Sequence, residues 1–311
     1  MKKKITIGTR GSQLALYQAY KVKDTLIATY PNLSVIIEII HTKGDIILDV
    51  ALSKIGDKGL FTKEIEVALL EGKVDIAVHS CKDLPTQLPE GLTLGVVLER
   101  GEFRDALICK SGKKLNELTK NDIVATSSLR RQAALLSINP KIQLKDIRGN
   151  VQTRLNRMEE GYCDAMIMAA AGLQRLNLDR YITEILDPEV IMPAVAQGAI
   201  AIEIRENDHE VMEILQNINH LPTWISVLAE RAFLRTLEGG CQVPLGCYSK
   251  IEGELITLHG FVASVDGKDI LKDKTTGSIN NPEACGIDLA NKLLEKGAAT
   301  ILNQIKKKNE A

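Results

Sequence analysis

Two rhythms of apolar and polar positions interleave over the first two thirds of the chain: short runs with a two-residue period, and longer stretches with a helical period between them. KITIG predicts a strand that leads into a helix over 12–30, where Ala15, Ala19, Val22 and Leu26 share one face. SVIIEII is the next strand, 63–71 a helix closed by Gly72, and VDIAVHS the strand after it. After LTLGVVL, the polar, glycine-containing segment 99–104 reads as a domain crossing. DALICK then restarts the rhythm with DIVATSS, a helix over 129–138, IQLKDI, a helix over 151–160 and CDAMIMA. Strands alternating with helices predict parallel sheets covered by helices on their faces.

The pattern changes after about residue 217. A helix over 223–238 ends at Gly239-Gly240, and ELITLHGFVASV and DILKDK flank Asp266-Gly267, a hairpin signal. One final helix carries Ile287, Ala290, Leu294, Ile301 and Ile305 on a single side. This stretch reads as a separate α+β domain, while PAVAQGAIAIEIRE reads as chain returning to the first domain.

At 311 residues the chain exceeds one ordinary core and suits two or three domains. A net charge of −1 excludes a bulk field that recruits nucleic acid, and 4% aromatic residues leave little for base stacking. Any anion site must therefore come from locally clustered Arg and Lys. No apolar signal-peptide core follows the leading lysines, and no run is long enough to span a bilayer. The six cysteines lack framework spacing and read as free thiols in a reducing compartment, so the expected setting is cytoplasmic.

Such clustering occurs where strands hand over to helices: Gly8-Thr9-Arg10-Gly11-Ser12, Gly59-Leu60-Phe61-Thr62-Lys63, Thr126-Ser127-Ser128-Leu129-Arg130-Arg131, and Arg148-Gly149-Asn150 with Arg154 beyond. A helix N-terminus presents unpaired N–H groups and a positive dipole end, and Arg adds a fork matched to a carboxylate. Any one turn alone reads better as an ordinary N-cap beside solvated arginines; four on one architecture shift the balance towards a small polyanionic ligand.

His79-Ser80-Cys81-Lys82-Asp83-Leu84-Pro85 closes the strand VDIAVHS. Asp83 there suits a general acid/base or a cation stabiliser, and equally a turn that caps backbone N–H groups before Pro85. In Glu238-Gly239-Gly240-Cys241-Gln242-Val243-Pro244 the paired glycines can expose Cys241 as a nucleophile, although a small buried thiol is the commoner fate. Cys241 and Cys247 have no matching His pair, so no metal site is predicted; dinucleotide, Walker and serine-hydrolase motifs are missing from the sequence.

Taken in order, TRGSQLAL, KGLFTKEIE, DIAVHSCKDLP, TSSLRRQ, IRGNVQTRL, AGLQRL, PAVAQGAIAIE and AERAFLRTLEGGCQVP resemble the hydroxymethylbilane synthase (porphobilinogen deaminase) family over essentially the whole chain. The resemblance implies two hinged, doubly wound α/β lobes like type II solute-binding proteins, at 1–98 with 192–216 and at 99–191, plus a small C-terminal α+β domain at 217–311. It implies a monomeric transferase of porphyrin (haem) biosynthesis that condenses four porphobilinogen molecules with loss of ammonia and releases linear hydroxymethylbilane. A dipyrromethane cofactor would be joined by a thioether to Cys241. Asp83 would be catalytic. Ser80, Lys82, Thr126, Ser127, Ser128, Arg130, Arg131, Arg148, Gly149 and Asn150 would hold the cofactor. Arg10, Ser12, Phe61, Arg154, Arg175 and Gln197 would hold the substrate. No nucleic acid or membrane partner is implied.

Two departures stand out. Ala196 occupies a position where the family often has Gly, and Leu221-Pro222-Thr223-Trp224 replaces a usually acidic stretch. The competing readings are a non-catalytic two-lobed receptor for a small polycarboxylate or phosphorylated ligand, and a transferase that uses the Cys241 thiol directly. Cys247 is the rival to Cys241 for attachment. Cys81, close to Asp83, is expected to make activity sensitive to oxidation.

Overall fold

The computed structural model describes residues 2–46, 59–237 and 243–310. These form two compact units. One takes the described residues up to Gly101 together with Gly198–Trp224; the other takes Glu102–Gln197 and the described residues from Ile225 onward.

The first unit is built on β1 (Lys4–Thr9), α1 (Gln13–Thr29), β2 (Ser34–Ile39), a short α2 (Lys43–Ile46), α3 (Lys63–Leu70), β3 (Ile76–Ser80), β4 (Leu92–Val97), β10 (Ile200–Arg205) and α7 (His209–Gln216). Its sheet runs β2-β1-β3-β10-β4. The side chains of β1 alternate between two buried layers. Ile5 and Ile7 join Val22 and Leu26 of α1 and Val211 and Leu215 of α7, while Ile65 and Leu69 of α3 cover the opposite face with Val74 and Ala77. Helices thus cover both faces, as a βα alternation requires.

The sheet is not purely parallel, which corrects the sequence expectation. β10 runs antiparallel to both β3 (Ala201 opposite His79) and β4 (Ala201 opposite Val97). A returning strand reaches the sheet without a βα crossover, so nothing forces it to lie parallel.

The second unit begins with β5 (Asp105–Cys109), β6 (Ile123–Ala125), α4 (Leu129–Ile138), β7 (Gln143–Lys145), α5 (Val151–Glu159), β8 (Ala165–Ala169), α6 (Ala170–Gln174) and β9 (Glu184–Ile185). Its sheet runs β7-β6-β8-β5-β9, again with one strand reversed: β5 is antiparallel to β8. Then come α8 (Leu221–Thr236), which starts in the first unit, and an antiparallel meander of β11 (Leu245–Glu252), β12 (Leu255–Ala263) and β13 (Ile270–Ser278). Gly260 of β12 is packed so closely that an added Cβ would lie 2.9 Å from Leu289 and 3.0 Å from Phe233.

The chain ends in two helices, α9 (Pro282–Glu295) and α10 (Ala298–Glu310), where the sequence predicted one. Gly297 separates them at φ 101, a conformation that needs glycine. The buried face of α9 is Cys285, Leu289, Ala290 and Leu293, and Ile287 is exposed. No described helix is long and apolar enough to cross a membrane, and no group of potential metal ligands occurs among the described residues.

Candidate functional site

In the first unit, β1 hands over to α1 through Arg10-Gly11-Ser12. Ser12 has extended backbone and its hydroxyl accepts from the N–H of Ala15 at 3.3 Å, so it is a working N-cap. The Arg10 guanidinium lies over the Phe61 ring, 4.3 Å from its centroid. At the end of β3, the Ser80 hydroxyl accepts from Gln18 at 2.8 Å, which ties the strand end to α1. A single 3₁₀ turn, Cys81–Asp83, then carries Lys82, half-buried, and Asp83, exposed.

One cleft is lined by Arg10, Ser12, Phe61, His79, Ser80 and Asp83. Asp83 caps nothing: its carboxylate takes no hydrogen bond from the described residues, and the N–H of Leu84 goes to the carbonyl of Cys81. That leaves an exposed carboxylate beside a stacked guanidinium and two hydroxyls. Cys81, by contrast, is only 1% exposed, so the expected sensitivity of activity to its oxidation lacks the access it needs.

In the second unit the hydroxyl-rich turn after β6 is pinned from within. Ser127 Oγ donates to the carbonyl of Ile147 and accepts from its N–H, both at 2.9 Å, so the turn is stapled to the loop that carries Arg148. Thr126 Oγ1 accepts from the N–H of Ser128 at 3.3 Å. Ser128 occupies the N-cap of α4 but makes no side-chain cap bond, whereas Asn150 caps α5 by accepting from Thr153 at 2.9 Å. Gly149 stands at φ 110, and a Cβ there would lie 2.7 Å from Thr153 Cγ2. Arg154 donates through Nε to the carbonyl of Gly149 at 2.8 Å, and half-buried Arg175 closes α6.

Arg148 Nη1 is buried and has no hydrogen-bond partner among the described residues. Leaving a buried charged donor unmatched is costly, and an anion in the same loop removes that cost.

Arg130 and Arg131, expected at the ligand, are instead committed to Asp105. Arg131 reaches both its oxygens, with Nη2 at 2.7 Å and Nε at 3.1 Å, and Arg130 Nη1 lies 2.8 Å away. Arg130 also donates to the carbonyl of Met192 and Arg131 to that of Ile167. Gln197, expected at the substrate, is 1% exposed and donates to Asp105 and to the carbonyl of Phe103, both at 2.8 Å. Burial alone would raise the Asp105 pKa, yet the two guanidiniums hold it well below the usual carboxylate range. Next to this knot Ala196 adopts φ 57, a left-handed conformation where the sequence comparison anticipated glycine.

Cys241 and its flanking Glu238-Gly239-Gly240 and Gln242 lie outside the described residues. Cys247, its rival, is fully buried in β11. Burial also pushes the Cys163 thiol up to about 11 and raises that of Cys285, so neither is an activated nucleophile.

Sequence reasoning passed over Asp105, Glu66 and Glu203. The signal was present as an acidic residue inside an otherwise apolar strand or helix face (Glu203 in AIAIEIRE, Asp105 at the head of DALIC).

The family model described as "Porphobilinogen deaminase, dipyromethane cofactor binding domain" matches residues 5–213, and "Porphobilinogen deaminase, C-terminal domain" matches 224–295. A porphobilinogen deaminase of Prochlorococcus marinus (strain AS9601) is 51% identical over 308 residues, covering 98% of each chain. That of Chlorobaculum tepidum is 49% identical over 310 residues, covering 99% of each. Among solved structures, the periplasmic VFT2 domain of Bordetella pertussis BvgS aligns at 15% identity and a TM-score of 0.42, over 69% of this chain and 85% of that one. The C-terminal match leaves the receptor reading unfavoured. Two models of the same family match successive parts of the chain, and relatives about half identical to it run nearly its full length, so the chain belongs to the porphobilinogen deaminase family.

Proposed function

We infer that this chain is a transferase of porphyrin biosynthesis that joins porphobilinogen molecules with loss of ammonia and releases linear hydroxymethylbilane. The observation that carries the site assignment is Asp83, an exposed carboxylate without a hydrogen bond from the described residues, in a cleft it shares with polar groups that include Arg10, Ser12, His79 and Ser80.

The residues fit a dipyrromethane cofactor. Its acetate and propionate arms are carboxylates, and Arg148 offers a buried, unmatched guanidinium nitrogen while the Ser128 hydroxyl is left over from capping. When bound, the cofactor supplies a covalently held pyrrole primer. Arg148, Ser128, Arg154, Arg175 and the α5 N-terminus, with Lys82, would hold carboxylates by charge-assisted bonds. Thr126 and Ser127 would keep that turn in shape. Arg130 and Arg131 would act chiefly through the frame they build around Asp105. Arg10 and Ser12 would receive the carboxylates of incoming porphobilinogen, with Phe61 holding the Arg10 plane. Asp83 would stabilise the positive charge that develops as the aminomethyl nitrogen departs and take up the proton released on carbon–carbon bond formation. Cys241 is the attachment point in this reading. We further place the protein in the cytoplasm as a monomer, without nucleic acid or membrane partners; its net charge of −1 and low aromatic content support the absence of a nucleic-acid partner.

The test is the intact mass of denatured protein before and after addition of porphobilinogen, with peptide mapping around Cys241. Two linked pyrroles on Cys241 and stepwise single-pyrrole increments are expected. Asp83→Asn should keep the resting adduct and lose turnover by about 10²-fold or more. An adduct on another residue refutes the attachment, and normal turnover of the Asp83 variant refutes its role.

A further inference from the structure

Behind the Asp83 cleft lies a cluster that the reading above does not use. Glu66 comes from α3, His79 from β3 and Glu203 from β10; they are 6%, 5% and 0% exposed. His79 Nε2 lies 3.2 Å from Glu203 Oε2, within ion-pair range, yet neither Glu203 oxygen receives a well-directed hydrogen bond from the described residues, nor does Glu66 Oε1. His79 also lines the cleft, as does Ser80, the next residue of β3.

Among the described residues the charged groups around it are few. Glu64 and Glu66 belong to α3, Glu203 to β10, Lys82 and Asp83 to the turn after β3, and Arg10 to the turn after β1. Arg205, at the far end of β10, is committed to Asp75 and Asp208. No described Lys or Arg forms an ion pair with Glu66 or Glu203. Two neighbouring buried carboxylates beside a histidine, with no described Lys or Arg paired to them, are matched in charge by protons shared within the cluster. Burial first, and the Glu203 charge after it, raise the pKa of Glu66, against the pull of Thr62 and His79.

We propose that Glu66, His79 and Glu203 form a buried proton-sharing triad that orients His79 and holds a proton at the wall of the Asp83 cleft. The proposal rests on the assignment of that cleft as the reacting site. In each condensation the carbon–nitrogen bond of the protonated aminomethyl group breaks and ammonia leaves with the electron pair. A carbon–carbon bond then forms, and the attacking pyrrole carbon gives up one proton. That proton ends on ammonia as ammonium, so the balance closes with no further reactant. Between those events it needs a site shielded from bulk water. Asp83 takes it first, and His79, backed by Glu203, is the next basic group along the wall. Glu66 sets the charge that the pair feels. Glu66, His79 and Glu203 are positioning residues: they act through Asp83.

The test uses the holoenzyme. In the unsubstituted protein, infrared spectroscopy with ¹³C-labelled glutamate should show a protonated, buried carboxyl at neutral pH, and Glu66→Gln should remove that band. Glu203→Gln should lower kcat about tenfold or more with KM little changed. It should also shift the pH profile of kcat and the NMR signals of the His79 ring, and Glu203→Asp should restore much of both. An absent band, or a Glu203→Gln enzyme with the parental pH profile and parental His79 ring signals, overturns the triad. Asp83→Asn run alongside separates the two readings: if it is inactive while Glu203→Gln is normal, only the triad fails. If it is fully active, the cleft assignment fails first. The infrared measurement needs no variant that must fold.

Discussion

At the scale of single residues, Asp105 shows how a charge can serve the fold in a protein built to bind charge. Its carboxylate is wholly buried and is shared by two guanidiniums, with Gln197 filling a further acceptor position. Asp105→Asn leaves two buried cations poorly matched and should cost about 3–5 kcal/mol in chemical denaturation at neutral pH. Because the folded-state pKa is depressed, this contribution is present above the ordinary value of 3.8 and drains away as pH falls below it. The gap between parent and variant should therefore narrow in acid; a constant gap across pH would refute the linkage. Arg148 makes the opposite case. Its buried nitrogen has no partner among the described residues, so Arg148→Met should leave the cofactor-free protein as stable or more stable, by about 1–3 kcal/mol. The same change should lower the fraction of chains that retain cofactor, as read by intact mass. A destabilised variant with a full cofactor load would sink that assignment. The caps at Ser12 and Asn150 were legible from residue type and place. The Asp105 knot was not, because its partners lie far along the chain and only packing brings them together. For that reason Arg130, Arg131 and Gln197 read as ligand contacts in the sequence and are engaged with Asp105 in the structure.

Element boundaries followed the periodicity over most of the chain, and failed at the glycine between the last two helices. The predicted helix 129–138 is α4 residue for residue. The terminal helix was read through Gly297 because one apolar spacing carried across it; the positive φ there ends α9 and restarts the chain as α10. Similarly, α8 begins at Leu221, with Pro222 in the first turn, where its missing N–H is harmless. The Asp266-Gly267 signal did mark the β12–β13 hairpin, and the structure adds why glycine is needed. Gly267 sits at φ 69 against α4, where a Cβ would come within 2.3 Å of the Ala133 carbonyl. Gly267→Ala should cost at least about 1–2 kcal/mol from backbone strain alone, with more from the collision, measured as a fall in thermal midpoint. A neutral substitution would mean that the hairpin can lift away from α4 freely.

For the whole molecule, the ordered motifs made the family legible, and the βα rhythm made the α/β class legible. The reversed strands were hidden, since apolar alternation says nothing about direction. In the first unit β10 lies between β3 and β4, and β4 joins the sheet only through it. A fragment ending at Gly101 should therefore lack a cooperative unfolding transition, and a cooperative melt from that fragment would contradict this dependence. The same arrangement governs how the protein is made. Strand β4 leaves the ribosome roughly a hundred residues ahead of β10, a wait of about 5–20 s at ordinary translation speeds. Throughout it the nascent first unit holds two open strand edges, those of β3 and β4, that only the later segment can close. During synthesis those edges are a ready docking strip for chaperones or for misplaced strands of neighbouring chains.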